Sequence, residues 1–191
     1  MTTDLAIQQS PLWRRTRWLV WGGAICLLLL PLVAMQFTAE VDWTGDDFAV
    51  MGVMLGTVCL AFELAVRVAR SHAYVVGAGV AVVTGFLLTW INLAVGIIGN
   101  EGGPVNLAFF GVLALGLAGT AVVRARAAGM ARLLLVLAVA QVGVSVVAWL
   151  AGLGETPPVA AVFVLGWLVA AGLFRRVSES EARDSRASSV R

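Results

Sequence analysis

Lysine is absent from this 191-residue chain, so all 13 basic residues are arginine. Charge of either sign is scarce, at 13 % of residues, against about 25 % in an average soluble domain. There is one histidine and there are two cysteines. A single imidazole excludes the two axial histidines of a membrane dihaem site, and the chain carries neither Cys-x-x-Cys-His nor His-Glu-x-x-His. His72 reads as a residue at the membrane interface. Cys26 and Cys59 stand in no paired or metal-ligand spacing and read as small apolar packing residues. The glycines do not form a Walker sequence after a strand. Ser145 is the only serine in an apolar run and lies far from His72, which argues against an intramembrane hydrolase. No cofactor and no metal site are expected.

What fills the chain instead is apolar. Hydrophobic residues make up 60 % of it, with a mean hydropathy of +0.94. Such a surplus in long runs excludes an ordinary soluble enzyme, a disordered chain and a nucleic-acid binder; the expected partner is the lipid bilayer. A membrane-crossing helix needs about 20 mostly apolar residues. Six stretches qualify, over 18–37, 47–67, 73–99, 104–123, 132–152 and 157–174, the last being the shortest. The first is not a cleavable signal peptide, because 31–37 offers no small-x-small cleavage site.

The arginines orient these spans. With six spans and the N-terminus inside, every arginine, from Arg14 to Arg191, falls on the cytoplasmic side. The outer loops, 38–46, 100–103 and 153–156, hold none, which is the positive-inside distribution. Those loops and the adjoining start of the second span carry Glu40, Asp42, Asp46, Asp47, Glu101 and Glu155, whereas only Asp4, Glu179, Glu181 and Asp184 accompany the arginines. The near-neutral total of +2 therefore hides a segregated charge. The expected fold is all-α: a polytopic six-helix membrane bundle, both termini cytoplasmic, spanning 1–176. A polar tail over 177–191 is expected to be disordered, the alternative being an arginine tether to anionic lipid.

The acidic cluster Glu40, Asp42, Asp46 and Asp47 suits either a cation site or a helix start. Thr44-Gly45-Asp46-Asp47 nearly matches a capping box, and Trp43 and Phe48 hold the flanking positions of a hydrophobic staple, so the start is the reading adopted. Ser71 is placed to cap the third span, Pro104 to open the fourth, and Thr156-Pro157 to open the sixth.

Three ionisable or amide side chains fall within spans, where they are costly: Glu63, Asn92 and Gln141. Glu63 stands one turn before Arg67, the favourable order for an i, i+4 ion pair that snorkels to the interface; a proton- or cation-handling carboxylate is the alternative. In the third span Gly77, Ala81, Gly85, Thr89, Asn92, Gly96 and Gly99 share one helix face. Gly52, Gly56, Cys59 and Glu63 do so in the second, and Ala138, Gln141, Ser145 and Ala148 in the fifth. These faces are expected to meet in a close-packed seam. Counting about 1.5 Å per residue from the outer ends puts Asn92 ~9 Å deep, Thr89 ~14 Å, Thr57 ~15 Å and Gln141 ~16 Å. Together they form a candidate polar layer for a mostly uncharged solute. Phe86-x-Leu88-x-Trp90 and Phe163-x-Leu165-x-Trp167 repeat one pattern, but no other spans match, so chance composition accounts for it better than an inverted repeat.

Two stretches carry a wider likeness. One is Leu30-Pro31-Leu32-Val33-Ala34-Met35-Gln36-Phe37-Thr38 followed by Val41-Asp42-Trp43-Thr44. The other is Trp90-Ile91-Asn92-Leu93-Ala94-Val95-Gly96-Ile97-Ile98-Gly99, followed by Glu101, Pro104, Asn106 and Leu107. The chain resembles a recurrent family of small, uncharacterised bacterial inner-membrane proteins with this Trp-x-Asn-x-Ala-Val-Gly-Ile-Ile-Gly motif. The likeness runs loosely over spans one to five and fades in the tail. It implies a multi-span inner-membrane protein and no catalytic or binding residue. The function expected is non-enzymatic, structural or accessory, with a membrane-protein partner or a homo-oligomer. The alternative is a small transporter or channel through Asn92, Gln141, Thr89 and Thr57.

Overall fold

The computed structural model describes residues 11–69, 71–99, 103–153 and 158–189. Among them are six α-helices and no strand: α1 (Pro11–Ala34), α2 (Gly45–Val68), α3 (His72–Ala94), α4 (Leu107–Val122), α5 (Ala127–Leu150) and α6 (Val159–Ser189). A 3-10 turn, Pro104–Asn106, leads into α4. Five helices are long and apolar enough to cross a membrane. The exception is α4, whose 16 residues reach about 24 Å at 1.5 Å per residue, short of a hydrocarbon core of about 30 Å. Large apolar side chains such as Leu19, Leu30, Val53, Leu117 and Val139 stand exposed along the helices. Exposure on that scale suits a lipid environment.

The chain divides into two compact units, Met1–Arg70 and Ser71–Arg191. In the first, α1 packs on α2. The start of α2 follows the local chemistry read from the sequence. Asp47 N–H donates to Thr44 Oγ1 at 3.4 Å, and Thr44 N–H donates to Asp47 Oδ2 at 2.8 Å, so the capping box is closed. Trp43 and Phe48 meet edge-on at 5.2 Å between ring centroids, completing the staple. Cys59 is buried on α2, whereas Cys26 is exposed on α1.

In the second unit α6 is the central helix, packing most extensively against α5 and then α3. Its buried residues Ala160, Phe163, Trp167, Ala170, Phe174 and Val177 recur at spacings of three and four, with Ala171 beside Ala170, making one apolar stripe along a 3.6-residue helix. The expected seam changes accordingly. The glycine face of the third span turns to α6: a Cβ on Gly77 would stand 3.3 Å from Leu173, and one on Gly85 would lie 3.7 Å from Trp167. The face of the fifth span that holds Gln141 meets Trp167 of α6 as well. The helix that is shortest by hydropathy organises the unit.

Two helix ends depart from the apolar runs. The third run extends to residue 99, but α3 stops at Ala94 and is capped by Val95. Gly96 and Gly99 take φ of 73° and 74°, left-handed values that glycine adopts without a Cβ clash, and the chain turns away. The last helix, conversely, continues through the tail to Ser189, where disorder from 177 is expected. Residues 178–189 contain no glycine or proline, and Arg175 Nε donates to Glu179 Oε1 one turn on at 2.9 Å. The segment is polar and exposed yet composed largely of residues that tolerate a helix. Ser71 caps α3 as its position suggests, accepting from Tyr74 N–H at 3.2 Å. Thr156 and Pro157 lie outside the described residues.

Candidate functional site

Two clusters of buried amide side chains stand out among the described residues of the second unit. The first locks the chain that follows α3. Asn106, 3 % exposed, accepts at Oδ1 from the backbone N–H groups of Ile97 and Ile98 at 3.1 and 3.0 Å. Its Nδ2 donates to Ile98 O at 3.2 Å. Asn92 Nδ2 donates in turn to Asn106 O at 2.9 Å. Ile97 and Ile98 are buried, so this is irregular backbone inside an apolar unit. Its donors and acceptors must find partners within the protein. One carboxamide with an acceptor and two donors acts as a surrogate peptide for that loop.

The second cluster joins α5 to α6. Gln141 is fully buried, and its Oε1 accepts from Trp167 Nε1 at 2.9 Å. An indole N–H only donates, so it determines which way the carboxamide faces and leaves the Nε2 group aimed elsewhere. Gln141 Nε2 and Asn92 Oδ1 are buried polar atoms without a hydrogen-bond partner among the described residues.

The layer read from the sequence is thus redistributed. Asn92 stands two residues from the end of α3 and belongs to the loop lock, because the helix ends at Ala94. Gln141 lies nine residues before the end of α5. Thr89 is half-buried on α3 and donates to Gly85 O at 2.8 Å. Thr57 belongs to the first unit, is exposed on α2, and donates to Val53 O at 2.8 Å. Both threonine hydroxyls bond back to their own helix, a habit that spends the donor locally.

In the first unit Glu63 pairs with a residue the sequence does not single out. Arg17 Nε donates to Glu63 Oε1 at 2.6 Å, with the acid 12 % and the base 54 % exposed. Arg67, one turn beyond Glu63, is itself exposed. Hairpin arithmetic contains the signal for the Arg17 partner: Arg17 is six residues into α1 and Glu63 five residues before the end of α2, so a hairpin brings them to one level. The same count finds Trp167, eight residues into α6, opposite Gln141. Asn106 is singled out by the family likeness alone, and its role depends on a loop conformation.

No protein-family model matches the chain, and neither a curated protein nor a solved structure shows significant similarity to it.

Proposed function

We propose that the protein is a six-span integral protein of a bacterial inner membrane, with both termini cytoplasmic and a non-enzymatic, structural or accessory role. The observation that carries this reading is how the intramembrane polar groups are used. Asn106, Asn92, Gln141 and Trp167 hydrogen-bond within the chain itself, building shape rather than presenting reactive groups to a substrate. Segregated arginines support the orientation, and the motif centred on Asn92 supports membership of the small inner-membrane family. Lipid-facing apolar helices offer surface for a membrane-protein partner or a second copy. Crosslinking in native membranes, followed by purification in mild detergent, tests the role. A reproducible stoichiometric companion or homo-oligomer is the expected result; a protein that is solitary under both conditions refutes it.

A second reading has one specific observation behind it. Gln141 Nε2 and Asn92 Oδ1 are a donor and an acceptor left open in buried positions, where an unmade hydrogen bond is costly. They suit a passage or site for a small neutral polar solute. Proteoliposome uptake of glycerol, urea or water that is abolished by Gln141→Leu would favour it over the accessory role.

A further inference from the structure

Three arginines converge where α4 passes into α5. The exposed Arg124, Arg126 and Arg132 line an open surface cavity of about 400 Å³ together with Ala128 and Gly129, and no acidic residue lines it. Among the described residues no carboxylate forms an ion pair with any of the three. Arg175, by contrast, is paired with Glu179.

The local backbone strengthens the positive character of this cavity. Turn N–H groups of Val123, Arg124 and Ala125 donate to Gly119, Ala121 and Thr120 carbonyls at 2.9, 3.1 and 3.2 Å. The negative end of α4 is therefore taken up by the chain. Ala125 O accepts from the Tyr74 hydroxyl at 2.6 Å, removing a further carbonyl. On the other side α5, 24 residues long, follows the N-cap residue Arg126, which makes no side-chain cap, so its first N–H groups have no intrahelical acceptor. Gly129 lets the turn close down, since a Cβ there would stand 2.6 Å from Val123 Cβ. Arg132 lies five residues beyond the start of α5, at roughly 8 Å along its axis. A membrane topology requires arginines on one side of the bilayer. It does not require three to share one cavity without a carboxylate.

We propose that this cavity is a binding site for a phosphate-bearing anion. Guanidinium forks match the geometry of phosphate oxygens and remain charged at any physiological pH. The same chemistry arrives from two sources, the headgroup of an anionic phospholipid or a soluble phosphate, and basic recesses at the ends of membrane helices suit the former.

Native mass spectrometry of the full-length protein in detergent, titrated with phosphatidylglycerol, cardiolipin or phosphatidylcholine, tests the lipid arm. Thermal shift in phosphatidylcholine nanodiscs with inorganic phosphate or pyrophosphate, at matched ionic strength, tests the soluble arm. The expected result is preferential retention of the anionic lipids. That retention should fall by about tenfold or more in the Arg124→Gln/Arg126→Gln/Arg132→Gln variant and stay unchanged in Arg175→Gln/Arg176→Gln. Ala128→Glu leaves every arginine in place while setting a carboxylate at the cavity, and should abolish retention even if the triple variant fails to fold. Stabilisation by phosphate alone, lost in the same variants, would identify a soluble anion as the ligand. Retention and stabilisation that are both indifferent to Ala128→Glu would overturn the proposal.

Discussion

At the scale of single residues, Asn92, Asn106, Gln141 and Trp167 are hydrogen-bonding parts of the architecture. Asn106 bonds the amides of Ile97 and Ile98 and the carbonyl of Ile98. Asn106→Ala would leave those backbone groups buried and unpaired, and it should cost about 2 kcal/mol or more. Thermal unfolding in detergent measures the loss, and faster hydrogen exchange confined to the Ile97 and Ile98 amides would locate it. Gln141 and Trp167 form a pair that suits a mutant cycle. Gln141→Leu strands the indole N–H and should cost about 1 kcal/mol, the usual scale of hydrogen bonds between membrane helices. Trp167→Phe should cost more, because a large ring also loses contact area. The double variant should fall short of the sum by most of that 1 kcal/mol; strict additivity would show that the bond at 2.9 Å contributes nothing. The cost of a carboxamide in an apolar run was legible from Asn92 and Gln141 alone. Their partners were not, because hydrogen bonds between segments depend on how helix ends are placed in space.

Elements show where local chemistry suffices and where it fails. The start of α2 was readable because a capping box and its staple involve only residues 43–48, within reach of one another in any helical start. The end of α3 was not, since Ala94-Val95-Gly96-Ile97-Ile98 is as apolar as the helix before it. Burial of both isoleucines and capture of their amides by Asn106 decide against continued helix. Glycines divide by the same logic. A Cβ on Gly166 of α6 would collide with Thr84 of α3, whereas one on Gly143 of α5 meets nothing within 4 Å. Gly166→Ala should therefore destabilise the protein by about 1–3 kcal/mol through overpacking. Gly143→Ala should be neutral, or stabilising by up to about 1 kcal/mol from the entropy alanine saves in a helix. Comparative thermal unfolding of the two variants checks the contrast, and equal effects would contradict the α3–α6 approach.

At the scale of the whole molecule, the arginine distribution and the apolar helices act together. Reporter fusions after Arg70, Arg126 and Arg176 should all report a cytoplasmic location, and one after Asp42 an external one; an external signal after Arg176 would remove the six-span topology. The fate of α4 within that topology is the sharpest point, because its 16 residues need local bilayer thinning or the adjoining Pro104–Asn106 turn to complete a crossing. Hydropathy and composition by themselves determined that the chain is apolar, poor in charge and rich in runs long enough for membrane helices. Those properties are sums over residues, and they survive any arrangement of the helices. Tertiary structure alone decided that α6 is the helix on which α3 and α5 pack, and it set the helix ends from which the pairings of Gln141 with Trp167 and of Glu63 with Arg17 follow. It also decided that Arg124, Arg126 and Arg132 line one open recess. Each of these joins segments, or side chains around a turn, whose separation is set by backbone geometry, and composition along the chain does not encode that distance.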